Sequence, residues 1–121
     1  MWQISLIPEA QKDILKLDKS IQKIVYAGIK KVSQNPLSKS EGGYGKHLGT
    51  RNGNNLTVFL KIKYRGIGIR VVYTLVRDKK LINIVAVSPR DDDYCYLIAT
   101  KRKNKYGTAL FSNGFLKLEK D

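Results

Sequence analysis

Hydrophobic positions change period along the chain, and each change marks an element. Residues 2–7 are mostly apolar and read as a short strand. Pro8 and Glu9 follow, a proline where a first helical turn tolerates it and an acid at the positive helix end. Ala10, Ile14 and Leu17 then recur at helical spacing. Asp18 and Ser20 interrupt that face and can cap a second helix, in which Ile21, Ile24, Val25, Ile29 and Val32 form the apolar side. Asn35-Pro36 ends it, because the residue before a proline is pushed out of the α region. Residues 37–55 are rich in Gly, Ser, Asn and Lys and predict a loop, with a short extended piece at Lys46 to Leu48.

Strict alternation begins at Leu56. Val58, Leu60, Ile62 and Tyr64 face one way, and Lys61, Lys63 and Arg65 the other. Gly66-Ile67-Gly68 supplies a turn, and Ile69 to Val76 predicts the returning strand. After a second turn at 77–80, Leu81 to Val87 is nearly all apolar, as in a central strand buried on both faces. Ser88-Pro89-Arg90 leaves the sheet, and Asp91, Asp92 and Asp93 supply the N-cap and first turn of a last helix running to about Lys101. The order is β-α-α-β-β-β-α: an α+β fold with an antiparallel sheet packed against a two-helix hairpin. A domain over 1–103 and a tail over 104–121 are expected, the tail carrying Phe111, Phe115, Leu116 and Leu118.

Composition adds one fact that the pattern lacks. The chain has 121 residues, room for one domain, and 23 Lys and Arg against 10 Asp and Glu give a net charge of +13. Such an excess favours polyanionic partners, nucleic acid foremost. No segment reaches the roughly 18 apolar residues of a membrane span, and the N-terminal apolar run is too short for a signal peptide. The basic residues fall on strands and not on an amphipathic helix, so no membrane role is expected. The single cysteine, Cys95, excludes an internal disulfide and a cysteine-based metal site, and suits a reducing cytoplasm.

The charge is also concentrated. Between Gly42 and Arg77 there is no acidic residue, while Lys46, Arg51, Lys61, Lys63, Arg65, Arg70 and Arg77 fall in that window. Lys61, Lys63 and Arg65 share a strand face, and the hairpin brings Arg70 to the same end. A row of like charges costs a few tenths to one kcal/mol per adjacent pair, about the scale of cross-strand pairs. An uncompensated row suggests an anionic partner; a solvated face of an edge strand protected by lysine is the plainer alternative. The lone His47 cannot form a two-histidine acid–base pair. The three consecutive aspartates are explained by a helix start, so neither a metal nor a cofactor is expected.

What remains for chemistry is Arg, Lys and Tyr. RNA carries its own nucleophile, the 2′-hydroxyl; cleavage needs a base, charge stabilisation at phosphorus and help for the leaving group. A tyrosine near its usual pKa of about 10 is a poor base at pH 7, and surrounding cations lower such a pKa. Arginine does not deprotonate, so Arg90 and Arg70 are better phosphate clamps than proton donors.

At these residues the sequence resembles the RelE/ParE superfamily of bacterial type II toxins, and within it the RelE messenger-RNA interferases. The stretch from Phe59 to Tyr73 is similar to the family's K-x-K-x-R…G-x-R-x-x-Y hairpin. Val87-Ser88-Pro89-Arg90-Asp91 with Tyr96 resembles its strand-end arginine and last-helix tyrosine, and Pro8-Glu9-Ala10, Leu15-Lys16-Leu17 and Asn35-Pro36 also match. The resemblance covers about residues 2–102; a Gly-rich insertion near Gly42-Gly43 and the tail after Lys103 exceed the compact family core. It implies a metal-independent, ribosome-dependent endoribonuclease acting on messenger RNA and silenced by a cognate antitoxin. By position, Tyr96 corresponds to the general base, with Tyr94 as competitor. Arg90 corresponds to the leaving-group or transition-state residue, and Lys61, Lys63 and Arg70 to the phosphate-stabilising cations. Arg65, Lys46 and Arg51 are then expected to contact RNA or the ribosome. An acidic or amphipathic antitoxin segment over the basic sheet is expected to neutralise it. Two other readings stay open: a ParE-like inhibitor of DNA gyrase, and a non-catalytic RNA-binding domain. The latter lacks Phe or Trp stacking platforms on the basic strand.

Overall fold

A computed structural model of the chain describes residues 1–48, 50–51, 54–56 and 58–117, with only the backbone at 50, 51, 54, 55 and 92. Eight strands and three α-helices occur among them: β1 (Gln3–Leu6), α1 (Pro8–Leu15), α2 (Lys19–Val32), β2 (Lys46–His47), β3 (Thr50–Arg51), β4 (Asn54–Asn55), β5 (Leu60–Tyr64), β6 (Ile69–Val76), β7 (Leu81–Pro89), α3 (Asp92–Tyr106) and β8 (Leu116–Lys117). Six strands form one sheet in the order β2-β5-β6-β7-β1-β8, and β3 pairs with β4 alone. The expected meander of β5, β6 and β7 is antiparallel throughout. The sheet as a whole is mixed, however, because β1 lies parallel to β7. Between them the chain passes through both helices and strands β2 to β6, a long connection of the kind a parallel pair requires.

Local chemistry explains most boundaries. Pro8 opens α1, with Glu9 in its first turn. Asp18 occupies the N-cap of α2 as expected, but its side chain makes no capping bond; its carbonyl accepts from the Gln22 amide at 2.8 Å instead. The Asp91 carboxylate does cap α3, accepting from the Tyr94 amide at 3.2 Å. The hairpin strand predicted from Leu56 starts at Leu60: Val58 is in a turn and 49% exposed, not aligned with Leu60. Pro89 remains in β7, at its exposed end.

The alternation of β5 decides which face meets which helix. Leu60, Ile62 and Tyr64 pair with Tyr73, Val71 and Ile69, and this face carries α2. Two hydroxyls fasten it: half-buried Tyr64 donates to the Val25 carbonyl and buried Tyr73 to the Pro36 carbonyl, both at 2.7 Å. Burial raises the pKa of both phenols, so each stays a donor. Gly28 is where the Tyr64 ring crosses α2; a β-carbon there would overlap the ring. Gly28→Ala is expected to lower stability by about 2 kcal/mol, since overpacking a tight contact exceeds the gain in helix preference. A urea titration checks it.

The opposite face, with Arg70, Val72 and Ser88 in register, carries α3. α3 runs past the predicted Lys101 to Tyr106. The segment beyond folds onto the sheet: the Leu110 carbonyl accepts from Thr74 at 2.5 Å and from Asn83 at 3.0 Å. β8 then pairs antiparallel with β1.

One detail joins the helices to the sheet edge. A register shift at Val72/Tyr73 leaves Val85 without a partner on β6. β1 has already ended opposite Ile84. The Val85 carbonyl instead accepts from Arg102 of α3 at 2.8 Å, and the Val87 amide donates to Asp13 of α1 at 3.1 Å. Asp13 and Arg102 close the arrangement with an ion pair at 2.6 Å.

Candidate nucleic-acid cleavage site

The turn end of the β5–β6 hairpin forms a cleft of about 210 Å³, lined by Lys63, Tyr64, Arg65, Ile69, Arg70 and Arg90. Four of the six lining residues are cations, and none is acidic. The sheet register sets this up. Lys63 pairs with Arg70 across the hairpin, and Arg70 pairs with Ser88 two residues before Arg90. Gly68 adopts a left-handed φ of 64° in the turn, and its carbonyl accepts from the Arg90 amide at 2.8 Å. The tip of the hairpin is thereby pinned to the strand end that carries Arg90.

Lys61 lies next along the same face, and Lys46 of β2 is its register partner. The charges are felt: Lys61 first, then Lys46, then burial and Arg70 and Arg65, hold the Lys63 ammonium below the ordinary lysine pKa. Arg70 is only 8% exposed and is reached from the cleft, not from an open sheet face. Arg65 and Arg90 are exposed. The side chain of Arg51 lies outside the described residues.

Neither of the two expected tyrosines lines the cleft. Tyr96 is half-buried against the core and is not among the residues lining the cleft. Tyr94, one side of α3 away, is 47% exposed and lines a different groove, toward α1. Between them Cys95 is buried on the face toward Ser88, Arg70 and Lys61; burial outweighs these neighbours and raises its thiol pKa. Tyr64 is the cleft residue that sequence reasoning assigned only to the core. His47 is exposed on β2, apart from the cleft lining. Among the described residues no group of three His, Cys, Asp or Glu gathers to hold a metal, and no helix is long and apolar enough to cross a membrane.

A second ionic cluster holds the far end of α3. Glu9 accepts from Lys105 at 2.6 Å and from the Tyr106 hydroxyl. Burial opposes ionisation of Glu9, but these bonds prevail and bring its pKa from an ordinary 4.5 down to about 2. A depressed carboxylate stabilises the fold above its unfolded pKa and loses that contribution as pH falls through its folded value. Comparing the native chain with Glu9→Gln, the stability difference is expected to be constant at neutral pH. It should shrink below about 4.5 and vanish near 2, as read by denaturation at a series of pH values.

Residues 4–94 match the family described as ParE toxin of type II toxin-antitoxin system, parDE. A RelE-like toxin protein of Escherichia coli is 30% identical over 101 residues, covering 84% of this chain and 96% of that one. Among solved structures, a doubly substituted E. coli RelE in the free state superposes with a TM-score of 0.65 at 22% identity, covering 84% of this chain and 96% of that one. The toxin in the intact E. coli RelBE toxin–antitoxin complex gives 0.57 at 19% identity, covering 75% and 99%. The chain belongs to the RelE/ParE superfamily of type II toxins. It is a toxin of a toxin–antitoxin system with the RelE fold.

Proposed function

We propose that this toxin is a ribosome-dependent endoribonuclease that cuts messenger RNA without a metal, and that a cognate antitoxin restrains it. The observation that carries the reading is the acid-free cleft of Lys63, Arg65, Arg70 and Arg90. In the proposed reaction the 2′-hydroxyl attacks the adjacent phosphorus, the bond to the 5′-oxygen breaks, and a 2′,3′-cyclic phosphate and a 5′-hydroxyl result. Arg70 and Arg90, with Lys61 alongside, stabilise the extra negative charge at phosphorus. Lys63 gives up its proton more readily than an ordinary lysine because cations surround it, which suits it to protonate the departing 5′-oxygen. Tyr96 takes the 2′-hydroxyl proton, a role that rests on the resemblance and on its position six residues after Arg90. Arg65 and Lys46 extend the basic surface toward RNA and ribosome, and Arg51 is assigned the same contact from the sequence alone.

The antitoxin partner is supported by family membership and by the RelBE complex, whose toxin has this fold. The match to ParE toxins favours a second reading, inhibition of DNA gyrase by binding. One experiment separates them: purified protein is added to a translating extract, and messenger-RNA ends are mapped by primer extension. Cuts at the ribosomal decoding site are expected. Intact messenger RNA, with supercoiling blocked in a gyrase assay, would overturn the proposal in favour of gyrase. Intact messenger RNA bound without cleavage would reduce it to RNA binding.

A further inference from the structure

The tail beyond α3 is stitched to the sheet by three polar side chains that stand in one row. Thr74 of β6, Asn83 of β7 and Ser5 of β1 are register partners across three adjacent strands, and all three are buried. Thr74 and Asn83 both donate to the Leu110 carbonyl. Asn83 donates again to the Asn113 carbonyl at 2.7 Å, and Ser5 accepts from the Phe115 amide at 2.6 Å. Asn83 thus gives both amide hydrogens to the tail, while its Oδ1 is buried with no hydrogen-bond partner among the described residues. An apolar side chain would suit a central strand better, so the asparagine serves the tail and not the sheet.

The tail reaches further on both sides. A short 3-10 helix over Gly107–Phe111 buries Leu110 and sets the Phe111 ring 6.3 Å from that of Phe59, two residues before Lys61. The chain then returns, and Phe115 meets the Tyr106 ring edge-on at 5.3 Å. The segment therefore leaves the end of α3, touches the root of β5, crosses β6 and β7, and finishes on β1. α3 itself is a rod of 15 residues, about 22 Å long at the helical rise. Tyr96 lies near its start, where Asp91 caps it, and the tail holds its far end.

We propose that residues 107–117 are a positioning strap, and that Thr74 and Asn83, by anchoring it, hold α3 and Tyr96 in place over Arg70 and the Lys61–Lys63 row. Neither anchor lines the cleft; both act through the tail. The kinetic half of the proposal rests on the nuclease reading, whereas the hold on α3 does not.

The test uses the full chain. Thr74→Val combined with Asn83→Leu keeps the side-chain volumes, removes every donor to the Leu110 and Asn113 carbonyls, and so favours release of the tail to water. Hydrogen exchange read by mass spectrometry is expected to rise over residues 107–117 and along α3, and to stay slow in β5 and β6. On ribosomes programmed with message, kcat is expected to fall about 10- to 100-fold with KM unchanged, the scale for a misplacement of up to about 1 Å. Thr74→Ser keeps the hydroxyl and should match the native chain in both measurements. A freed tail over a still-protected α3 would overturn the proposal, as would an undiminished kcat. A raised KM at native kcat would also overturn it and make the tail a binding surface. If the double substitution loses protection across the whole sheet, Phe115→Ser loosens the strap from the Tyr106 ring without entering the sheet interior, and the same outcomes decide. A native chain that does not cut would count against the nuclease reading, while exchange along α3 still decides whether the strap holds the helix.

Discussion

Arg90→Ala is expected to lower messenger-RNA cutting in a translating extract by about 100- to 1000-fold, the scale for removing one preorganised donor from a developing charge. The size follows from position. Arg90 faces three other cations across a small cleft, and its backbone is fixed by the Gly68 carbonyl. Substitution at an exposed side chain should leave folding untouched, so circular dichroism and the denaturation midpoint should match the native chain. Tyr96→Phe is expected to lower cutting by about 100-fold if its hydroxyl removes the proton, the lower range for a general base. An undiminished rate for Tyr96→Phe would remove that residue from the chemistry while leaving the cleft reading intact. An undiminished rate for Arg90→Ala would remove the cleft.

The largest loss of stability is expected from Asp13→Ala. Asp13 and Arg102 are 14% and 15% exposed at their side chains, and the pair is bonded at 2.6 Å. Removing the carboxylate strands a nearly buried guanidinium and leaves the Val87 amide unsatisfied. The cost is about 3 kcal/mol, or a fall in Tm of roughly 10 °C. Asp13→Asn keeps an acceptor for the amide and should fall between. Calorimetry on the three proteins orders them; equal Tm values would show that the pair contributes nothing.

These two sites show what the sequence can and cannot display. Cations are legible by type and by alternation, so Lys61, Lys63, Arg70 and Arg90 stand out before any coordinates. The two hairpin strands are also legible, from alternation over Leu60 to Tyr64 and from the run of β-branched residues over Ile69 to Val76. The end of α3 is not legible. Residues 101–105 read locally as a basic run leaving the fold, yet Arg102 and Lys105 bond acids 89 and 96 residues away. No local window contains such partners. The parallel entry of β1 is hidden for the same reason, since Gln3 finds Leu81. Arg70 looks like an exposed clamp until α3 is laid over its face. Tyr64 looks like plain core until it is seen to line the cleft.

The pairing of β1 has a consequence for how the protein comes into being. Ser5 and Leu6 hydrogen-bond in register with Lys117 and Leu116, and on the other edge β1 joins β7. During synthesis the first strand therefore waits for partners that emerge much later. The hairpin of β5 and β6 is local and can form early, but the far edge of the same sheet cannot be completed until residue 117 has cleared the exit tunnel. A nascent chain would carry its basic hairpin before its sheet is closed, and closure waits until Leu116 and Lys117 have emerged to meet β1.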